Sequence, residues 1–225
     1  SLNARRGLID SLRGTIQSLR WKPQGTEWGD YYQATNYSGR AFSEKERLVQ
    51  EFLSATSPKK VYDLGANEGV FSRIASEMGA YTLSFDIDPA AVEKHYLRLK
   101  NEKHSSTLPL LQDLTNPTPN YGWAGTERNS LLARGQADTA MALALVHHLA
   151  ISNNLPLEMI AQFFARAAKH LIIEFVPKSD SQVKRLLATR EDIFPSYTES
   201  GFEDAFSGIF KIVRKENVPG SERTM

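Results

Sequence analysis

Apolar residues near the start of the chain recur at helical spacing. Between positions 2 and 21, Leu8, Leu12, Ile16 and Leu19 fall on one face of a helix, and arginines occupy many of the other positions. We expect this amphipathic helix to pack on the rest of the protein with its arginines in solvent. A basic arm that binds a membrane or RNA is the alternative.

A segment rich in glycine, proline and aromatic residues follows the first helix. Positions 22–39 contain Trp28, Tyr31 and Tyr32, a composition that favours a loop over a regular element. We predict that this loop is a lid over a bound ligand. Together with the first helix it makes up an N-terminal segment, 1–42, that precedes the main domain, 43–225.

The main domain is predicted to begin with a capped helix. Ser43 and Glu46 have the spacing of a capping box, with Ser43 as the N-cap, which predicts a helix from 43 to about 55. Pro58 then separates this helix from the segments that follow.

Strands and helices alternate beyond Pro58. The predicted strands cover 60–64, 81–85, 108–112, 139–146, 170–176 and 209–216. The predicted helices cover 70–79, 89–103, 156–168, 180–189 and 199–207. Such alternation produces right-handed crossovers and a parallel sheet with helices on both faces. The sequence therefore predicts an α/β, Rossmann-like three-layer sandwich.

Composition narrows the classes of partner. With 27 Lys and Arg against 26 Asp and Glu, the net charge of +1 produces no field that would gather nucleic acid or anionic lipid. The absence of cysteine excludes disulfides, thiolate zinc sites and a Cys nucleophile, and it is compatible with the cytoplasm. The longest central apolar run, 140–146, is far shorter than the ~20 residues of a membrane-spanning helix. We therefore expect a soluble protein with no membrane partner, and the charge does not favour a nucleic-acid partner.

The most informative segment is the turn after the first predicted strand. Asp63 precedes Gly65 and Gly69, and glycines at these positions let a ligand approach the main chain. Asn67 and Val70 stand where a dinucleotide fingerprint has glycine, and no P-loop lysine follows. The turn therefore fits a nucleoside-like ligand whose cationic tail is steadied by Asp63.

Acidic residues also follow the next two predicted strands. Asp86 ends the second strand, where a carboxylate can accept hydrogen bonds from both ribose hydroxyls. Asp113 follows the third strand and could accept from an adenine amino group, although a turn role is an equal alternative. Asp88, before Pro89, is predicted to cap the next helix.

From Ser43 to Glu216 the chain resembles the class I S-adenosylmethionine-dependent methyltransferases. The run 63–69 is similar to the family's first motif, Asp86 to its ribose-binding acid and Asp113 to its adenine-contacting acid. The 139–178 stretch resembles the methyltransferase domain of bacterial nodulation host-specificity proteins.

The resemblance implies a cofactor, further site residues and a strand count. The cofactor would be S-adenosylmethionine, and the sheet would have seven strands, mostly parallel, with the last strand truncated in this chain. The cofactor site implied by the resemblance includes residues beside the motif positions: Ala66, Asn67, Ile87 and Leu114. Tyr32 of the lid could cover the sulfonium of this cofactor through a cation–π contact, and packing on a surface helix is an equal alternative. We predict no metal, because no spacing of His and acidic residues fits a metal site.

Three residues are candidates for the chemistry. His147 and His148 end the fourth predicted strand, where strand alternation would send one of them into the cleft, and we favour His147 as a general base. Packing or hydrogen bonding is the alternative for either histidine. Glu174, after the fifth strand, is expected at the cleft edge or in an ion pair. The long loop 114–137, with Tyr121 and Trp123, is a candidate substrate wall.

Three functions compete at this point. A methyltransferase acting on a small molecule or biosynthetic intermediate is favoured by the cofactor motifs and the near-neutral charge. Lys45, Lys178 and Glu216 partly match the catalytic tetrad of RNA ribose 2′-O-methyltransferases, although a His replaces the tetrad's Asp. A methyltransferase-like binding module of a longer chain is the non-enzymatic alternative.

Overall fold

A computed structural model describes residues 1–22, 26 and 39–225. The strands are β1 (Lys60–Leu64), β2 (Tyr81–Asp86), β3 (Thr107–Leu111), β4 (Ala137–Ala142) and β5 (Ala168–Ile173). The helices are α1 (Leu2–Ser18), α2 (Gly39–Thr56), α3 (Val70–Glu77), α4 (Pro89–Asn101), α5 (Leu157–Ala167), α6 (Ser181–Leu187) and α7 (Glu199–Ser207). The predicted alternation of strands and helices is thus confirmed.

All the paired strands run parallel, in the order β3-β2-β1-β4-β5. The chain moves outward from β1 to β3 and then returns to β4 on the other side of β1, so the direction of winding reverses between β1 and β4. In open α/β sheets, ligands bind at the carboxyl ends of the strands beside such a reversal. The topology therefore locates a binding crevice beyond Leu64.

Helices cover both faces of the sheet because its strands are apolar on both sides. Tyr62 and Leu64 pack into one core with residues of α5 and α7. Val61 and Met141 point the other way and pack against α2 and α3. Near-continuous apolar strands of this kind are characteristic of parallel sheets buried on both faces.

The described residues form five strands, and the expected seven are not found among them. The predicted strand 209–216 is irregular, and Val213 is 88% exposed. The chain end instead folds back as a hairpin in which Glu216 and Met225 exchange two backbone hydrogen bonds of 2.8 Å. Thr224 of this hairpin pairs antiparallel with Phe175, just beyond β5, so the position beside that sheet edge is taken.

The first helix does not pack as expected. None of the residues of α1 is buried, and its apolar side chains Leu8, Ile9 and Ile16 are all more than 60% exposed. Within the described residues no part of the domain lies against this face. Amphipathic spacing predicted the helix correctly, but spacing alone does not show whether the apolar side packs on the domain. None of the described helices is both long enough and apolar enough to span a bilayer.

The second helix begins at Gly39, four residues before the predicted start at Ser43. Ser43 lies inside the helix, and its hydroxyl donates a hydrogen bond to the carbonyl oxygen of Gly39 at 3.2 Å. The predicted capping box is therefore wrong, and the boundary drawn between 42 and 43 falls within α2. A serine inside a helix can satisfy its hydroxyl by bonding back to the preceding turn, which the sequence pattern alone does not reveal.

The predicted cap of α4 is confirmed. Oδ1 of Asp88 accepts hydrogen bonds from the backbone N–H groups of Ala90 at 2.8 Å and Ala91 at 3.2 Å, and Pro89 occupies the first helical position. These bonds satisfy two of the N–H groups that a helix start leaves without an intrahelical partner.

We predict that replacing Asp88 lowers the free energy of unfolding more than replacing Ser43 does. Asp88→Ala should lower the free energy of unfolding by about 1 kcal/mol, because it removes a helix cap. Ser43→Ala should change it by less than ~0.5 kcal/mol, since Ser43 is exposed within a helix. Urea denaturation of both variants measures the difference. Equal losses would contradict these roles.

Candidate active site

A cavity of about 350 Å³ opens at the carboxyl ends of β1, β2 and β3 and beside the loop that follows β4. It lies at the reversal of the sheet, where the topology locates a crevice. Nine of the predicted site residues line it: Asp63, Gly65, Ala66, Asn67, Asp86, Ile87, Asp113, Leu114 and His148.

The turn after β1 is held against β2 by main-chain bonds. The N–H groups of Gly65 and Ala66 both donate to the carbonyl oxygen of Phe85, at 2.8 and 3.0 Å. Gly65 has a φ of +75°, and a Cβ there would lie 3.0 Å from Cδ1 of Leu145. Both the backbone conformation and the close approach of Leu145 therefore favour glycine.

Asp63 is a buried carboxylate at the cavity wall. Its Oδ2 accepts a hydrogen bond of 2.5 Å from the Ser72 hydroxyl, which in turn accepts one of 2.7 Å from Ser84. Burial raises the pKa of Asp63 to about 7, even though the Ser72 bond favours the charged form. A cation entering the cavity would stabilise the ionised form, so Asp63 suits a positively charged group.

Asp86 connects the two turns at the cavity edge. Its Oδ2 accepts from the N–H of Asn67 at 2.7 Å, and its Oδ1 accepts from the N–H of Asp88 at 2.8 Å. Burial raises the pKa of Asp86 and these backbone bonds oppose the rise. Each carboxylate oxygen has two lone pairs, so acceptor capacity remains for a ligand hydroxyl.

The third strand contributes a local turn. Oδ1 of Asp113 accepts from both the N–H and the hydroxyl of Thr115, at 2.8 and 2.7 Å. This is the turn role that the sequence left open, and Asp113 also lines the cavity. Leu114 and the exposed Ile87 supply apolar surface on the same side.

Gly69 is not part of the cavity lining, although we expected it to bind the cofactor. It has a φ of +74°, and a Cβ at this position would overlap the imidazole of His95 on α4. His95 is itself buried. The structure therefore explains this glycine by the packing of α4 against the start of α3.

The two histidines are placed opposite to our preference. His148 lines the cavity, whereas His147 does not and is only 2% exposed. The centroids of the two imidazole rings are 4.0 Å apart. Strand alternation did not apply, because β4 ends at Ala142 and His147 already has helical dihedrals. His148 begins a π-helical turn that ends at Ser152, a rare geometry that is frequent at functional sites.

Burial lowers the pKa of both histidines. The pKa of His148 falls to about 4, mainly through desolvation and also through the positive charge of Arg223. The pKa of His147 is lowered well below its ordinary value by burial and by the neighbouring His148. Both rings are therefore neutral near pH 7, so His148 can accept a hydrogen bond or a proton from a ligand but is a weak base.

Glu174 is not at the cleft edge. It is 0% exposed, and its Oε2 lies 2.7 Å from Nζ of Lys45, so the ion-pair alternative is the one observed. Lys45 projects from α2 and lines the cavity, although it is only 3% exposed. Burial lowers the pKa of Lys45 and the Glu174 carboxylate opposes this effect.

The residues of the partial tetrad are not brought together. Lys178 forms an ion pair with Asp192 at 2.7 Å, and Glu216 is bonded to Arg214 at 3.0 Å. Lys45 lines the cavity and the other two do not. A tetrad built on these positions is therefore not assembled.

Several cavity residues had not been singled out by the sequence. They come from α2, from the segment after β3, and from the segment between β4 and α5: Phe42, Gln112, Thr115, Leu145, Ser152 and Asn153. Lys45 also lines the cavity and had been named only for the partial tetrad. Its place on the apolar face of α2, beside Leu48 and Val49, is a further signal, because a buried lysine is unusual.

The structure bears differently on the predicted lid and on the predicted substrate wall. Tyr32 and its aromatic neighbours in the predicted lid lie outside the described residues. In the loop 114–137, Leu114 and Thr115 line the cavity, but Tyr121 and Trp123 do not. Trp123 is 83% exposed.

In the part of the chain that the structure describes, no group of three His, Cys, Asp or Glu side chains could hold a metal ion.

Solved structures show the class of fold. The N-methyltransferase NodS from Bradyrhizobium japonicum WM9 superposes with a TM-score of 0.59 at 12% identity, over 83% of this chain and 94% of NodS. Magnesium protoporphyrin IX methyltransferase ChlM from Synechocystis PCC 6803, solved with bound SAH, superposes with a TM-score of 0.54 at 18% identity, over 84% of this chain and 85% of ChlM. The fold is that of the class I methyltransferases.

A sequence relative makes the relationship more specific. The nodulation protein NoeA of Rhizobium meliloti (strain 1021) is 41% identical over 199 residues, which represent 88% of this chain and 42% of NoeA. This chain thus has a class I methyltransferase fold and is related to the nodulation protein NoeA, less than half of whose length it spans. The resemblance inferred from the sequence is confirmed. No protein-family model matches the chain.

We predict that Gly69 matters for packing. Gly69→Ala should destabilise the protein by about 2–4 kcal/mol, because the new methyl group overlaps His95 and the backbone is left-handed. Gly79→Ala is the matched control, since Gly79 also has a positive φ but nothing lies within 4 Å of its Cβ position. Thermal and urea unfolding compare the two. If they lose the same stability, backbone strain alone explains Gly69.

Proposed function

We propose that this protein is an S-adenosylmethionine-dependent methyltransferase that acts on a small molecule or biosynthetic intermediate. The observation that carries the proposal is the pair of buried carboxylates, Asp63 and Asp86, at adjacent strand ends on one cavity wall. The class I methyltransferase fold and the relationship to a nodulation protein support it.

The residues present fit the cofactor. Asp63, whose pKa is raised to about 7 by burial, would take the ammonium group of the methionine end. Asp86 would accept from the ribose hydroxyls with the lone pairs that its backbone bonds leave free. Ile87 and Leu114 would pack beside the adenine, with Asp113 near its amino group. When bound, the cofactor supplies an electrophilic methyl group.

The acceptor would approach from the side of His148. Methyl transfer is an in-line displacement, so the protein contributes mainly by positioning the reactants and, where needed, by accepting a proton. A His148 pKa of about 4 makes the imidazole neutral at working pH but a weak base. We therefore assign His148 to orienting the acceptor through a hydrogen bond and receiving its proton late in the transfer.

The competing functions receive less support. An RNA ribose methyltransferase would need the tetrad, and Lys178 and Glu216 are engaged elsewhere. A non-catalytic binding module would have the same cofactor pocket, so a measurement of turnover is needed to distinguish it from an enzyme. Incubation with methyl-labelled donor and fractionated cell extract, followed by mass spectrometry of labelled products, both detects turnover and identifies the acceptor. Absence of any labelled product, with the donor bound, would favour the binding module.

We predict that Asp86 is needed for cofactor affinity. Asp86→Ala should weaken binding of S-adenosylmethionine at least ~10-fold, because hydrogen bonds to a charged acceptor contribute ~1.5–3 kcal/mol each. Asp88→Ala is the matched control, because it removes a nearby buried carboxylate that does not line the cavity. Calorimetric titration of both folded variants is the measurement. Unchanged affinity in Asp86→Ala would refute the ribose assignment.

We also predict that replacing His148 lowers the rate of catalysis, whereas replacing His147 lowers stability. His148→Ala should reduce kcat by ~10²-fold, at the low end for a proton acceptor, with cofactor affinity nearly unchanged. His147→Ala should instead lower stability by about 1–3 kcal/mol, since it empties a buried site. With a His148 pKa of about 4, its contribution to the rate should be constant from pH 6 to 9. A larger rate loss in His147→Ala would reverse the assignment.

A further inference from the structure

A chain of buried charges runs from the cavity wall to the C-terminal hairpin. Nζ of Lys45 lies 2.7 Å from Oε2 of Glu174, and Nη1 of Arg223 lies 3.7 Å from the other oxygen of Glu174. Nε of Arg223 lies 2.8 Å from Oδ2 of Asp180. All four side chains are less than 10% exposed, so these charges interact through the protein interior with little solvent screening.

The inner end of this chain lies beside Asp63. Lys45 and Asp63 both line the cavity, and each carries a charge that shifts the pKa of the other. Among the described residues, however, no Lys, Arg or His nitrogen lies within ion-pair distance of the Asp63 carboxylate. The cation at the cavity wall is bound to Glu174 instead.

This arrangement matters because Lys45 and a cationic ligand would compete for the same acid. A long, flexible lysine side chain that turned toward Asp63 would neutralise it and occupy the place of an entering ammonium group. In the structure the lysine is bound to one oxygen of Glu174, and Arg223 lies beside the other oxygen of the same carboxylate. The C-terminal hairpin thereby reaches the cavity through two ion pairs.

We propose that Glu174, held by Arg223, is a positioning residue that keeps Lys45 away from Asp63, so that Asp63 remains available to the ammonium group of the cofactor. This inference rests on the proposed function, because it assigns a cationic ligand to Asp63. It gives Glu174 a role in cofactor affinity without contact between Glu174 and the cofactor.

The test measures binding of two ligands to the full chain by calorimetry from pH 5.5 to 8. S-adenosylhomocysteine carries the ammonium group, and 5′-methylthioadenosine is the matched ligand that lacks it. The charged or polar groups that act on Asp63 are Lys45 from α2, Ser72 from α3 and Asp86 from β2. In the native protein, affinity for the first ligand should fall as Asp63 becomes protonated near pH 7, and affinity for the second should not.

Glu174→Gln keeps the shape of the side chain and removes its charge. Lys45 should then pair with Asp63, which weakens binding of S-adenosylhomocysteine by ~10-fold at pH 8. The pH at which affinity for this ligand is half lost should move down by about one unit or more, because the lysine stabilises the ionised form of Asp63. Binding of 5′-methylthioadenosine should be unchanged. The double variant Lys45→Met with Glu174→Gln should recover both the affinity and the midpoint, because the competing cation is absent.

Lys45→Met alone keeps the proposal testable if Glu174→Gln does not fold. This variant should bind S-adenosylhomocysteine at least as tightly as the native protein does. A loss of ~10-fold or more for S-adenosylhomocysteine alone would mean that Lys45 contacts the cofactor, which would overturn the proposal. Failure of the double variant to recover affinity would overturn it as well. If the native protein binds neither ligand, the proposed function fails instead, so the two failures are distinguishable.

Discussion

Burial of the Asp63 carboxylate is the constraint on which the rest of the site depends. An ionised carboxylate inside a protein is costly unless hydrogen bonds or a cation stabilise it. Ser72 and Ser84 supply a short chain of hydrogen bonds, but burial still raises the pKa of Asp63 to about 7. Among the described residues Asp63 has no ion-pair partner, and a cationic ligand would stabilise its ionised form.

The parallel sheet determines where that incomplete charge lies. Because β1 and β2 end side by side, Asp63 and Asp86 meet on one cavity wall although 22 residues separate them in the sequence. Asp86 also ties the two turns together through the N–H groups of Asn67 and Asp88. The same carboxylate thus shapes the crevice and presents acceptors to it, so fold and binding are coupled at this residue.

Local patterns predicted the strand ends that bring Asp63 and Asp86 to one cavity wall. The strand bounds around Asp63 and Asp86 follow from short apolar runs that end at glycine or at an Asp-Pro turn, and their placement depends on the parallel topology alone. The cap by Asp88 is a purely local interaction, which is why a motif could identify it. That the described residues form five strands rather than seven could not be anticipated in this way, because pairing of the chain end with Phe175 is a tertiary contact.

The positions of the candidate catalytic residues were predicted less well, because they depend on packing. His147 was favoured on the assumption of an extended chain, whereas Ala144 has a left-handed φ of 51° and turns the backbone toward the π-helical segment. Gly69 looked like a ligand contact until the position of His95 on α4 was known. The ion pair of Glu174 with Lys45 joins residues 129 positions apart, and no spacing rule connects them.

The most direct test of the central claim is a crystal structure of this protein grown with S-adenosylhomocysteine. We predict that the ligand occupies the cavity beyond β1 and β2, with its ammonium nitrogen within hydrogen-bond distance of the Asp63 carboxylate and its ribose hydroxyls hydrogen-bonded to Asp86. A ligand bound elsewhere, or one whose ammonium group faces away from Asp63, would contradict the account.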